Sequence, residues 1–402
     1  MSRCVSRWLF AALLLTGAGS ALAERQAAGA LSEGTFRPLE RAQGLMAEAR
    51  HAEALKILEP LLERVGNEYE RALVLQTLGF LFAGQQQYSR AIPYFERAID
   101  LNALPQQPHE QMLLALGQLL FAEGRIDAAI MRLEAYFAEA GGGASADAHL
   151  MLASAYADRK RYRKALPHVD AAIKASDSPR LSWYQLKLGL HYELRELAAC
   201  AETLHPIIAL APDNITYWQQ LSSVLLEIKR DREALAVLAL ADRQGLLSTE
   251  TQVLNLVNVY LLLDIPYKAA RVLDAGMRAG RVPTDEKQLL RLAEAWVAAR
   301  EHTRAEAVLA RAAEQASDGE VALRLAQVRV EARQWAPALE ALDMALSKGV
   351  KARGEVQFLR GVSALELGRE ALAEQAFTAA LDDPRRRRDA RAWLTHLRQR
   401  AS

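Results

Sequence analysis

Amide and basic side chains in the second half of the chain are of types that bind ligands. They are Gln220, Asn255, Asn258, Lys287, Arg291 and Arg324. Amide groups can hydrogen-bond the backbone of an extended ligand, and Arg and Lys attract carboxylates. This set predicts either a site for a peptide-like, acidic ligand or a polar surface that only faces water.

An aromatic residue and a run of arginines are the other binding candidates. Trp183 is predicted to be exposed, where it would anchor a partner. The basic patch near the C-terminus consists of Arg385, Arg386, Arg387, Arg388 and Arg391. Such a patch attracts an acidic partner or anionic lipid head groups, and it also occurs on helices that are merely solvated.

The sequence lacks the spacings that catalysis or metal binding requires. Its eight histidines are scattered, and no His-Glu-x-x-His, Cys-x-x-Cys or Gly-x-Ser-x-Gly motif occurs. Cys200 lies in an apolar helical pattern and is predicted to be a small buried residue. The net charge of +1 gives no reason to expect nucleic-acid binding. We therefore predict no catalytic residue, no metal site, no cofactor and no enzymatic activity.

These side chains need elements that hold them, and the sequence provides a repeat. Anchor alanines recur 33 to 38 residues apart, at Ala54, Ala91, Ala129, Ala165, Ala201, Ala234, Ala269, Ala305, Ala338 and Ala373. Nine of the ten residues twelve positions before an anchor are small, and nine of the ten four positions after it are large and apolar. We interpret each unit as a helical hairpin in which the small residue of the first helix faces the anchor of the second. The large residue would fill the space toward the next hairpin.

The segment LQTLGFLFAGQQQYSRAIPYFERAID, residues 75–100, resembles the tetratricopeptide repeat family, as does WQQLSSVLLEIKRDREALAVLALA from Trp218. The resemblance covers about residues 35–384. It implies an all-α, right-handed superhelical solenoid of about ten helix-turn-helix repeats. It also implies that the first helices line a concave surface, and it places the six amide and basic residues on that surface.

Both ends of the chain differ from the repeats. Residues 1–23 are basic, then apolar, then small, as is typical of a secretory signal peptide, so export by the Sec route to the periplasm of a Gram-negative bacterium is expected. Residues 24–34 are predicted to be a flexible segment before the solenoid at 35–384. Residues 385–402 would form a basic helix that caps the solenoid. No later apolar run is long enough to span a bilayer, which leaves only peripheral association with a membrane.

A narrower resemblance concerns the second half of the chain. The segments YWQQLSSVLLEIKRDREALAVLALADRQGLL and DIPYKAARVLDAGMRAGRV are similar to periplasmic tetratricopeptide proteins that accompany TonB–ExbB–ExbD systems. This resemblance implies a non-enzymatic adaptor that contacts TonB, ExbB or ExbD components during uptake of iron complexes across the outer membrane. The alternative is a scaffold for envelope polysaccharide or for outer-membrane protein assembly and export.

Overall fold

The computed structural model describes residues 31–401, and it is built from helical hairpins. The chain divides into two compact units between Ala211 and Pro212. Within the described residues there is no strand, so the all-α prediction is confirmed. The predicted signal peptide lies outside the described residues, as does most of the predicted flexible segment 24–34. The first helix begins at Glu33, two residues before the predicted start of the repeats.

The first unit contains five consecutive hairpins, each made of a first and a second helix. They are α1 (Glu33–Ala47) with α2 (His51–Arg64), α3 (Glu68–Gly84) with α4 (Tyr88–Asp100), α5 (Gln106–Ala122) with α6 (Ile126–Ala140), α7 (Ala146–Asp158) with α8 (Tyr162–Lys174), and α9 (Leu181–Glu193) with α10 (Leu197–Leu210). A short 3-10 turn, Gly141–Gly143, connects the third hairpin to the fourth.

The second unit contains five further hairpins and a final helix. They are α11 (Ile215–Glu227) with α12 (Asp231–Arg243), α13 (Glu250–Leu262) with α14 (Pro266–Arg278), α15 (Glu286–Ala298) with α16 (His302–Gln315), α17 (Glu320–Glu331) with α18 (Trp335–Lys348), α19 (Arg353–Glu366) with α20 (Glu370–Ala380), and α21 (Arg387–Ala401). As predicted, α21 covers the last hairpin: Ala390, Leu394 and Leu397 are buried, and Trp393 stacks on Phe377 with ring centroids 5.9 Å apart.

Every hairpin turns through one residue with a left-handed backbone, five positions before the anchor of its second helix. These residues are Ala49, Gln86, Gly124, Lys160, Arg195, Lys229, Asp264, Arg300, Arg333 and Gly368. In the second hairpin the N–H of Gln87 donates to the carbonyl of Phe82 at 2.9 Å, which closes the end of α3 in the manner of a Schellman motif. Most of these turns lack the glycine that this conformation favours, so they store backbone strain.

The anchor of the fifth hairpin is Cys200, and the prediction of Ala201 is wrong by one residue. In each hairpin the anchor is the fourth residue of the second helix, as Ala91 is in α4 and Cys200 is in α10. Cys200, Leu204 and Ile207 are fully buried, while His205 is exposed. Burial, with a smaller contribution from Glu196, raises the pKa of the Cys200 thiol to about 11. The predicted burial of Cys200 is therefore confirmed.

The small residue of the first helix makes room chiefly for the large residue of its own hairpin. A Cβ atom on Gly79 would lie 2.9 Å from the ring of Phe95, and one on Gly361 would lie 2.6 Å from the ring of Phe377. This contact within the hairpin was not predicted, because the sequence pattern placed the large residue toward the next hairpin. The predicted contact with the anchor is present where Ser222 donates to the carbonyl of Ala234 at 3.2 Å.

Candidate protein-binding site

The first helix of the seventh hairpin, α13, presents an uncharged polar face to solvent. A capping box fixes its start, because Thr249 accepts from the backbone of Gln252 while the Gln252 side chain accepts from the backbone of Thr249. Val253, Leu256, Val257 and Tyr260 are buried, and this apolar side orients the helix. Asn255 and Asn258 are consequently exposed on the opposite side.

The next first helix, α15, brings positive charge to the neighbouring position. Its N-cap is Asp285, which accepts from the backbone of Gln288 at 2.9 Å. The Gln288 side chain donates to Glu250 of α13 at 2.8 Å, which links the starts of the two first helices. On the solvent side of α15, Lys287 is exposed and Arg291 is half-buried. Amide groups on α13 and cations on α15 thus share one surface, which we name the first-helix face.

An ion pair changes the charge farther along this surface. Arg324 of α17 is exposed, and its guanidinium lies 3.1 Å from the carboxylate of Glu294 on α15. An exposed pair of this kind contributes little to stability, but it partly neutralises Arg324. The positive charge available to a ligand is therefore concentrated at Lys287 and Arg291.

Gln220 is placed differently from the other amide candidates. Its Oε1 atom is buried, and it has no hydrogen-bond partner among the described residues. The side chain is half-buried on α11. The oxygen predicted to contact a ligand is therefore not presented to solvent in the way that Asn255 and Asn258 are.

An apolar residue on the first-helix face was missed by the sequence reasoning. Leu262 follows Asn258 by one turn of α13, and its side chain is 63% exposed. Its position lies seven residues before the anchor, and the other hairpins carry only Ala, Gly, Asp or Glu there. That contrast was readable from the sequence. Leu262 gives the face an apolar contact beside its amides.

Trp183 is buried, and the prediction that it is exposed is wrong. Its side chain is 8% exposed on α9, with the guanidinium of Arg180 6.0 Å from its ring. The cause is the one-residue register error in this hairpin. With Cys200 as the anchor, Trp183 occupies the position held by Met112 in the third hairpin, which is fully buried.

The C-terminal arginines have different surroundings. Arg386 is ion-paired with Glu355, which raises its pKa, and its guanidinium also lies 4.8 Å from the ring of Phe358. The exposed arginines include Arg385, Arg387, Arg388 and Arg391. Arg386 therefore fastens α21 to the last hairpin, and the others face solvent.

A pair of histidines in the first unit was also missed. The Nδ1 atoms of His149 on α7 and His168 on α8 lie 3.0 Å apart, beside the ring of Phe137. One ring must donate a proton and the other must accept it, so at least one is neutral. Burial lowers the pKa of both rings, and in His168 the neighbouring His149 adds to this while Glu134 opposes it. Their spacing in the sequence, 19 residues, gave no signal.

No helix within residues 31–401 combines the length and the apolar character needed to cross a membrane.

Comparisons with known proteins found one matching family model and a set of solved structures with similar folds. The family model described as "Tetratricopeptide repeat" matches residues 77–144, 114–179 and 323–392. No curated protein matches the chain.

Three of the similar solved structures show the range of the likeness. MamA (residue 41 to the end) from Desulfovibrio magneticus RS-1 is 20% identical with a TM-score of 0.38, covering 46% of this chain and 99% of that one. Naa15/Naa10 bound to HypK-THB is 14% identical with a TM-score of 0.43, covering 92% of this chain and 61% of that one. YrrB, titled a TPR protein with an unusual peptide-binding site, is 16% identical with a TM-score of 0.39, covering 49% and 92%. At such low identity and TM-score these likenesses say nothing of what this chain binds.

The family assignment agrees with the described hairpins. The matched segments lie in both units, and the hairpins outside them keep the same helix order and the same left-handed turn before the anchor. Stacked hairpins of this kind provide extended surfaces for other proteins. The chain therefore belongs to the tetratricopeptide repeat family and is a scaffold for protein–protein interaction.

Proposed function

We propose that the first-helix face binds an extended, acid-containing segment of a partner protein. The observation that carries this proposal is the exposure of Asn255 and Asn258 on α13 beside Lys287 and Arg291 on α15. Side-chain amides hydrogen-bond a ligand backbone through both donor and acceptor atoms. The two cations attract a carboxylate, and Leu262 provides an apolar contact one turn beyond Asn258.

The proposed setting is the periplasm, and the proposed partners are components of a TonB–ExbB–ExbD system. The signal-like sequence of residues 1–23 supports export. The resemblance of the second half of the chain to periplasmic tetratricopeptide proteins of such systems supports the partner. The protein would then act as a non-enzymatic adaptor between the inner-membrane energy source and outer-membrane uptake of iron complexes.

Photo-crosslinking in intact cells tests both parts of the proposal. A photo-reactive amino acid is placed at Asn258 or at Arg291, and captured proteins are identified by mass spectrometry. The matched control carries it at Arg271, which is exposed on α14, the second helix of the same hairpin. We expect TonB or ExbD to be captured from the first two positions and not from the control.

The two parts of the proposal fail in different ways. Capture of the same partner from Arg271 as from Asn258 contradicts the binding face. Reproducible capture from Asn258 and Arg291 of an envelope polysaccharide synthase or an export pore, with no TonB-system protein, contradicts the partner and supports the alternative scaffold role.

A further inference from the structure

The last helix, α21, carries positive charge on one face and apolar residues on its buried side. The whole chain has a net charge of +1, whereas residues 385–402 contain seven arginines and one acidic residue, Asp389. One face of α21 carries Arg388, Arg391 and Arg398, because these residues are spaced three and then seven positions apart along the helix. All three are exposed, and the buried side of the helix is formed by Ala390, Leu394 and Leu397.

Most of this positive charge has no internal counter-charge. Glu355 pairs with Arg386, and Asp389 lies 3.8 Å from Arg386 and 3.4 Å from Arg388. Among the described residues, no acidic side chain forms an ion pair with Arg391 or with Arg398. Since Arg386 already fastens α21 to the last hairpin, these exposed arginines are not needed for that contact.

The same face forms an open depression. It has a volume of about 410 Å³ and is lined by Pro384, Arg387, Arg388, Arg391, Ala392 and Thr395. Guanidinium groups bind phosphate oxygens in a bidentate manner. The chemistry that fits this depression is a phosphodiester anion.

The apolar content of the helix distinguishes a lipid surface from a protein partner. Among the side chains of α21 that the structure describes, no exposed one is large and apolar. Protein interfaces depend on such anchors, whereas attraction to an anionic bilayer needs only clustered positive charge. We propose that the basic face of α21 docks the protein onto the phosphate head groups of an anionic phospholipid bilayer. This inference does not rest on the first-helix face.

Vesicle sedimentation of the full chain tests the proposal. The test variant is Arg388→Gln/Arg391→Gln/Arg398→Gln. The matched control is Arg232→Gln/Arg243→Gln/Arg311→Gln, which removes the same charge from exposed sites of the same unit. The unsubstituted chain, the test variant and the control share the same N-terminal sequence. Any contribution of that sequence to vesicle binding is therefore the same in all three proteins. Vesicles contain either phosphatidylcholine alone or 30% phosphatidylglycerol.

We expect binding to phosphatidylglycerol vesicles at low salt and its loss at high salt, because screening weakens exposed charges. At about 1 kcal/mol per arginine near an anionic surface, the test variant should bind about 100-fold more weakly, with the control unchanged. Circular dichroism of the test variant should show an unchanged helix signal. Equal loss in the control, no preference for phosphatidylglycerol, or tighter binding to poly-glutamate than to the vesicles overturns the proposal.

Discussion

The ring of Phe95 lies so close to Gly79 that a Cβ atom on the glycine would be 2.9 Å from ring carbon Cε2. Both residues belong to the second hairpin, Gly79 on α3 and Phe95 on α4, and Phe95 is fully buried. The close approach of these two helices therefore depends on the absence of a side chain at position 79.

Gly79→Ala should lower the stability of the first unit by about 1–3 kcal/mol, because the added methyl group overpacks the contact with Phe95. Gly84→Ala is the matched control: it lies at the end of the same helix, and a Cβ there would meet nothing within 4 Å. Thermal unfolding followed by circular dichroism measures both. Phe95→Leu should restore part of the stability of Gly79→Ala. A variant as stable as the control would contradict the packing described for this hairpin.

The repeat could be predicted because its physical requirement recurs in every hairpin. A small residue stands where two helices touch, so the anchors at nine of ten hairpins follow from their spacing together with the small residue twelve positions before and the large residue four positions after. The fifth hairpin was misassigned because Ala201 and Gly189 are both small and twelve residues apart. The true anchor, Cys200, stands opposite the larger Leu188, which is buried. Only the packed structure distinguishes these two registers.

The candidate site was predictable to the extent that helical periodicity controls exposure. The exposed positions of Asn255, Asn258 and Lys287 follow from the buried side of each helix. The pairing of Arg324 with Glu294 and the inward Oε1 of Gln220 depend on side-chain conformations between neighbouring helices. A sequence pattern carries no information about such conformations.

Replacing a strained turn residue by glycine should stabilise the protein. Ala49 has a left-handed backbone with φ of 58°, and Gly124 occupies the same position in the third hairpin. Ala49→Gly removes strain of about 1–2 kcal/mol and costs some entropy of the unfolded chain, so a net gain of about 0.5–1 kcal/mol is expected. Gly124→Ala is the reverse experiment, since a Cβ there would meet no atom within 4 Å and only the backbone matters. The midpoint temperature of thermal unfolding should rise for Ala49→Gly and fall for Gly124→Ala.

The thiol of Cys200 should be unreactive in the folded protein. The side chain is fully buried, and burial raises its pKa to about 11, so little thiolate exists near neutral pH. In a Cys4→Ser background, which leaves Cys200 as the only cysteine of the sequence, a chromogenic thiol reagent at pH 8 should label the protein readily only in denaturant. Cys200→Ala places the usual anchor residue at this position and should cost less than about 1.5 kcal/mol, whereas Cys200→Leu should cost about 1–3 kcal/mol by overpacking. Rapid labelling of the native protein would show that the fifth hairpin is open.

The stability contributed by Glu70 should disappear in acid. Its carboxylate is 7% exposed and accepts from the backbone N–H of Ser32 at 2.6 Å and from the hydroxyl of Thr35 at 2.8 Å. Burial alone would raise the pKa of Glu70, but these hydrogen bonds outweigh burial and hold the pKa below its ordinary value of 4.5. Because the folded state binds the proton less readily than the unfolded state, this stabilisation is complete above about pH 4.5 and is lost as the pH falls through the folded pKa.

Glu70→Gln should therefore lower stability at pH 7 by about 1.5–3 kcal/mol, the usual contribution of hydrogen bonds to a charged group. The difference from the unsubstituted protein should shrink as the pH is lowered below 4.5. Glu59→Gln, at an exposed position of α2, makes the same change of charge without these partners and should cost little at either pH. Urea unfolding at pH 7 and pH 3.5 measures the stability of the unsubstituted protein, of Glu70→Gln and of Glu59→Gln. A cost of Glu70→Gln that stays constant between the two pH values would mean that packing, rather than the charged hydrogen bonds, makes the contribution of Glu70.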